Sequence, residues 1–308
     1  MASSGERATT IRLTWLIPAL GIAQIISWGT LFYAIAVLGE AMRGELGISA
    51  TWLFGAFTVG LLVSGIVSPA VGRLVDARGG RFVLSWGSVL GAIALALIAS
   101  ARGAPTLFLG WTLAGVAMAA CLYDPAFATL HQLTGASYRR AVTALTLFGG
   151  FASTVFWPAS QWLLDSVGWR ETLWIYVALH LAVCLPLHLA FVPARAAGAA
   201  TDAGVAVGAD AFPGVAAPRR TTVRASYVWL AAAFSVAAFL SATLSAHLIA
   251  LLKAAGLTAR DAVLVSSLIG PMQVLGRIAE FTFARRISPL SVGALAFGLM
   301  TAASHAWR

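Results

Sequence analysis

Gly72-Arg73-Leu74-Val75-Asp76-Ala77-Arg78-Gly79-Gly80-Arg81 is a knot of charge and glycine set between two apolar runs, residues 51–71 and 82–101. Each run is long enough to cross a hydrocarbon core of about 30 Å as a helix, which takes roughly 20 residues. The knot is therefore read as a short connection between two membrane helices, because backbone inside lipid must satisfy its own hydrogen bonds and only short polar links leave the bilayer. Outward from it, further spans of membrane length cover 13–38, 105–130, 141–164, 171–192, 227–252, 262–283 and 289–304. With 51–75 and 82–101 they make about nine.

Composition leads to the same place. The chain is 60% hydrophobic and 10% charged, with a mean hydropathy of +0.88, whereas a soluble domain carries about 25% charged residues. Soluble classes are excluded, and the first partner is the lipid bilayer. A net charge of +9 would point to nucleic acid in a soluble protein. Here the arginines fall in gaps between apolar runs, where membrane orientation accounts for them and no nucleic-acid partner is expected. If the spans alternate, Arg7, Arg12, Arg73, Arg78, Arg81, Arg139 and Arg140 lie on one side, with Arg195, Arg219, Arg220, Arg224, Arg285 and Arg286, against Arg43, Arg102, Arg170, Lys253 and Arg260 on the other. The positive-inside rule then places the N-terminus, the Asp76 loop and the stretch around Arg219 in the cytoplasm. The run 13–38 is too long for a signal-peptide core of about 7–15 residues and is expected to stay as the first helix. Cys121 and Cys184 sit inside apolar runs, which gives no disulfide framework.

Residues 193–224 form the one long non-apolar stretch, rich in Ala and Gly with Pro213 and Pro218, and read as a flexible linker. The expected organisation is a six-helix half at 1–193, a linker at 194–224 and a partial second half of about three helices at 225–308. Gly72-Arg73-Leu74-Val75-Asp76 is echoed in the eighth span by Gly276-Arg277-Ile278-Ala279-Glu280, as expected of two repeated halves.

The 72–81 pattern resembles the loop between the second and third helices of the major facilitator superfamily, with Gly72, Asp76, Gly79 and Arg81 at its motif positions. The resemblance extends along the whole chain. It implies an all-α polytopic bundle, and a secondary transporter in which two halves rock about a midplane site while this loop governs switching between access states. Ala77 and Gly80 stand where the family usually has basic residues, so a weaker charge latch is expected. The family has twelve helices, and a chain truncated after about nine, with an incomplete C-terminal half, is expected.

Gly276-Arg277 also looks similar to the eighth helix of monocarboxylate transporters and bacterial oxalate:formate antiporters, where an arginine pairs with the anionic substrate. One turn earlier the monocarboxylate group has an acid and this chain has Gln273. The implied function is transport of a small carboxylate, with a proton or an exchanged anion, across the bacterial inner membrane. The alternatives are a drug or sugar carrier of the same superfamily, with Arg277 a loop residue equivalent to Arg73, or an inactive fragment.

Other candidates come from polar residues inside spans. Asp124, beside Tyr123 and before Pro125, is a carboxylate within a membrane helix, which is costly unless it faces a cavity or hydrogen-bonds a neighbouring helix. Gln24, Ser27, Trp28 and Leu31 share one helical face, making Gln24 and Trp28 candidate substrate contacts. Phe156-Trp157-Pro158 and Gly168-Trp169-Arg170 are read as interfacial anchors. His180, Cys184 and His188 recur at steps of four, but the two histidines are about 12 Å apart along a helix rising 1.5 Å per residue, so one ion cannot reach all three. Packing on an outward-facing sixth helix is expected, and no metal. No phosphate-binding glycine loop or nucleophile elbow is present, and His, Asp and Glu are scattered, so neither a cofactor nor an enzyme is expected.

Overall fold

The computed structural model describes residues 4–194, 220–283 and Gly298. The linker expected at 194–224 and the span expected at 289–304 lie largely outside the described residues. Eight helices among those described are long and apolar enough to cross a membrane: α1 Trp15–Leu46, α2 Ala50–Arg78, α3 Gly80–Ala99, α4 Ala104–Thr134, α5 Tyr138–Val167, α6 Trp169–Phe191, α7 Val228–Ala254 and α8 Ala259–Ala279. Met1–Arg195 and Leu248–Phe281 form one compact unit, which holds every residue considered below; Ala196–His247 and Thr282–Arg308 form another. The described residues of the second unit, 220–247, 282–283 and 298, are helical.

Glycine and a serine set the helix ends. Gly47, at φ 63°, stops α1 and returns its N–H to the Arg43 carbonyl. Ser49 then caps α2 by accepting from the Trp52 N–H at 3.4 Å. The charged knot is tighter than a loop: α2 runs through Arg78, Gly79 alone breaks it at φ 81°, and α3 begins at Gly80. Gly72 therefore lies within α2, and Arg81 sits in the first turn of α3. Asp76 is tied sideways, accepting a hydrogen bond from Gln132 Nε2 of α4 at 3.1 Å. Eight residues earlier on both helices, Ser68 donates to Asp124 at 2.8 Å. These two rungs join α2 to α4 along the end that carries the knot.

Lipid tails are as apolar as leucine, so helices in a membrane associate through close packing and hydrogen bonds rather than by hiding apolar surface from water. The α2–α4 contact fits that rule. A Cβ on Gly60 would lie 2.6 Å from the Trp111 carbonyl oxygen, and one on Gly115 would collide with the Gly60 carbonyl. Leu62, Ile66, Trp86, Leu109 and Trp162 instead point outward, the apolar exterior expected of a protein solvated by lipid.

At the opposite end Arg170 joins three helix ends. Its Nε donates to Glu45 Oε1 at 2.8 Å, Nη2 donates to the Ala101 carbonyl at 2.7 Å, and Nη1 donates to the Ala99 carbonyl. Its guanidinium also covers the Trp169 ring at 4.2 Å, and the Trp169 N–H donates to Glu45 Oε2 at 2.6 Å. Lys253 of α7 pairs with Glu40 of α1 at 2.5 Å. Interfacial anchoring, expected for the tryptophans of these motifs, does not hold. Trp169 is buried and Trp157 wholly so; the indole N–H of the first meets the exposed Glu45 carboxylate where the helix ends converge, and that of the second meets the Tyr33 carbonyl inside the bundle at 3.1 Å.

Candidate functional site

The site grows from a break in α4. Helical geometry is interrupted at Leu122, with φ −82° and ψ −154°, and resumes at Tyr123. Pro125 has no N–H to give the Cys121 carbonyl one turn back, so that acceptor is orphaned by the sequence itself. Gln24 of α1, fully buried, fills the gap: its Nε2 donates to the Cys121 carbonyl at 2.8 Å and to the Leu122 carbonyl at 3.2 Å. Its Oε1 accepts from the Trp28 indole N–H at 3.1 Å. Both ends of the amide are used, and the second fixes the orientation of Trp28.

Trp28 lies with its ring centroid 5.1 Å from that of Tyr123, which in turn stacks on Phe127 at 5.0 Å and an interplanar angle of 9°. The Tyr123 hydroxyl rests against Gly149 of α5, where any side chain would collide with it. In α1 the backbone widens into a π-turn at Gly29–Tyr33, and Tyr33 packs edge-on against Trp157 at 5.4 Å.

The facing wall comes from α8. A Cβ on Gly270 would lie 2.6 Å from the Gly150 carbonyl oxygen of α5, and Thr154 donates to the Ser267 carbonyl at 3.0 Å, so the two helices cross backbone to backbone. Beyond that crossing, Gln273, Gly276 and Arg277 meet Trp28, Tyr33, Tyr123, Thr146, Gly149 and Gly150 around a cavity of about 450 Å³. A smaller recess of about 200 Å³ shares Arg277 and is lined also by Arg140, Thr143, Ala144, Leu147 and Ile278. The larger volume falls within the roughly 300–1,000 Å³ of small-molecule sites.

Of the sequence candidates, Arg277, Gln273, Tyr123 and Trp28 come together on this cavity. Gln24 stands behind it, consumed by the α4 carbonyls and Trp28. Asp124 is exposed and turned to Ser68 on α2, away from the cavity lining. Gly72, Asp76, Gly79 and Arg81 gather at the α2–α3 junction. Tyr33, Thr146, Gly149 and Gly150 were missed by sequence reasoning; the adjacent glycines in an apolar span are the signal of a close approach that could have found the last two.

The sixth helix corrects a further expectation. His180, Cys184 and His188 do not face outward: His180 and His188 are wholly buried, held by Thr30 at 2.9 Å and Ser88 at 3.0 Å. Imidazole nitrogens need partners that lipid cannot supply. Among the described residues no group of three or more His, Cys, Asp or Glu is placed to hold a metal ion.

These features define a polytopic helical-bundle membrane protein with a solute-sized, partly polar cavity between its helices. The chain belongs to the Major Facilitator Superfamily, whose family model matches residues 20–307. It is 37% identical over 129 residues to monocarboxylate transporter 11 of Mus musculus, a match covering 40% of this chain and 28% of that protein. It is 29% identical over 170 residues to monocarboxylate transporter 13 of Rattus norvegicus, covering 54% of this chain and 38% of that protein. An uncharacterised 38 kDa protein from the 23S RNA operon of Thermoproteus tenax is 34% identical over 154 residues, covering 50% of this chain and 39% of that one. The chain thus spans less than two fifths of the length of these relatives.

Replacing Gln24 by Leu leaves the Cys121 carbonyl, which Pro125 cannot serve, buried without the donor it has now, at a cost of about 1–3 kcal/mol. The thermal-unfolding midpoint of the detergent-purified protein is expected to fall, and the near-ultraviolet circular dichroism to weaken as Trp28 loses its fixed orientation. An unchanged midpoint would mean that the Cys121 carbonyl finds its donor elsewhere.

Proposed function

We propose that the protein is a secondary transporter that carries a small carboxylate anion by alternating access, coupled to a proton. The observation that carries this reading is Arg277 on the wall of the 450 Å³ cavity, beside Gln273 and opposite Trp28 and Tyr123. A guanidinium is permanently charged and presents a planar fork of donors that matches a carboxylate in two parallel hydrogen bonds. Within a membrane span such a charge is expensive and marks a substrate path by default. A carboxylate solute can pair with that fork, Gln273 offers an amide donor, and the aromatic faces of Trp28 and Tyr123 take the short apolar part of the solute. Two of the relatives are named monocarboxylate transporters, which favours the same ligand class. A proton carried with the anion leaves the translocated pair neutral, so the membrane potential does not oppose entry. Exchange for a second anion would satisfy the same charge balance.

Rocking needs two halves, here assigned to 1–193 and 225–308 with 194–224 between them. The Gly72–Arg81 junction serves the switch: Asp76, held by Gln132, ties the ends of α2 and α4 in one access state. The location is the bacterial inner membrane, with the N-terminus and the Asp76 junction cytoplasmic, because the basic residues gather on that side of alternating spans.

Two measurements test this. In proteoliposomes holding the intact protein, an imposed pH gradient should drive uptake of labelled short carboxylates such as acetate. Arg277→Lys, which keeps the charge and loses the fork, should cut that uptake about tenfold, close to the loss in Arg277→Gln. Near-normal uptake by the Lys variant would leave Arg277 as a point charge at a helix end, and no carboxylate uptake by the wild type would remove the substrate class. For orientation, single cysteines at Ala77 and Gly103 should differ in intact cells, with only the one at Gly103 labelled by an impermeant thiol reagent; labelling at 77 would reverse the topology.

A further inference from the structure

We propose that His180 is a positioning residue for the cavity: its ring, held in one tautomer, fixes the π-turn of α1 that carries Tyr33. The inference rests on the reading of that cavity as the substrate site. Helices α1 and α6 each widen into a π-turn, at Gly29–Tyr33 and at His180–Cys184. Such turns are rare and cluster at functional sites. These two are joined directly, by Thr30 Oγ1 and His180 Nε2 at 2.9 Å, both groups wholly buried.

The tautomer follows from counting protons. A hydroxyl has one, and Thr30 gives its own to the Ile26 carbonyl at 2.8 Å, so towards the ring it can only accept. His180 therefore carries its proton on Nε2 and donates. Its Nδ1 is a bare acceptor without a hydrogen-bond partner, facing α3 where a Cβ on Gly91 would stand 3.1 Å away. His188 repeats the logic in the opposite tautomer: Ser88 donates to the Leu84 carbonyl at 3.1 Å, so Nδ1 of His188 must donate to Ser88 at 3.0 Å.

A second proton on His180 Nδ1 would have no acceptor. The helices packed against it add no counter-charge: residues 15–39 of α1 contain only Tyr33 as an ionisable side chain, 82–99 of α3 contain none, and 172–191 of α6 itself contribute Tyr176, Cys184 and His188. His180 thus serves as a neutral donor at a fixed place. A π-turn leaves backbone groups out of the regular ladder and needs lateral support to persist. Thr30 sits three residues before Tyr33, so the His180 bond holds the turn that aims Tyr33 at the cavity.

Three variants separate this role from simple packing. His180→Gln keeps an N–H donor at about the reach of Nε2, His180→Asn places its amide nearer the Nδ1 position, and His180→Phe keeps the ring without a donor. The readouts are backbone hydrogen exchange of a peptide covering residues 29–34, followed by mass spectrometry, and the half-saturation concentration for acetate uptake. Expected is wild-type protection in the Gln variant. Faster exchange is expected in the Asn and Phe variants, with a half-saturation concentration about threefold to tenfold higher and little change in maximal rate. Wild-type exchange in the Phe variant, or exchange in the Gln variant as fast as in Phe, would overturn the proposal. Should the Phe variant fail to fold, the Gln and Asn pair decides it alone. Should the wild type take up no carboxylate, the transport reading falls while the exchange comparison still decides the role of His180.

Discussion

The cavity depends on one side-chain amide. Pro125 withholds the hydrogen bond that would close α4 over Cys121, and Gln24 supplies it from another helix at 2.8 Å. The break cannot stand unaided, since a buried carbonyl without a donor costs more than a typical hydrogen bond contributes. Because the same amide also accepts from Trp28, the repair of α4 and the placement of a cavity wall are a single event. Tyr123, first residue after the break, is turned against Trp28 and Phe127 by the same interruption.

Around that point the bundle is held by the two forces that work in lipid. Close backbone contact joins α2 to α4 at Gly60 and Gly115, and α5 to α8 at Gly150 and Gly270. Buried or end-capping hydrogen bonds do the rest: Thr30 with His180, Ser88 with His188, Trp157 with the Tyr33 carbonyl, and Arg170 across three helix ends. The small residues at the α5–α8 crossing have a second consequence. They let α8 approach α5 closely enough for Gln273 and Arg277 to share one volume with the aromatic side chains of α1 and α4.

Much of this was legible in the chain because hydropathy and charge are local properties. The first eight spans correspond to helices, and the glycine-and-charge knot shortens only from a loop to the single residue Gly79. Arg277, Gln273, Tyr123 and Trp28 were each visible as polar or aromatic groups inside apolar runs. What the sequence concealed is partnership over long separations. Nothing in the spacing around Gln24 says that its donors reach residues 97 and 98 positions away, so a substrate contact and a backbone cap looked alike. Trp157 read as an anchor because tryptophan favours interfaces, yet a carbonyl 124 residues distant drew it inside. His180 and His188 read as packing on an outer face, since a period of four shows which residues share a face but not which way that face points.

The central claim is that the volume between Trp28, Tyr123, Gln273 and Arg277 holds a carboxylate. Its most direct test is tryptophan emission of the purified intact protein, titrated with acetate at constant ionic strength. The account predicts saturable quenching that disappears in Arg277→Gln and shrinks in Trp28→Phe, with chloride at the same concentration inert. Saturable quenching that survives in Arg277→Gln, or that chloride reproduces, would contradict it.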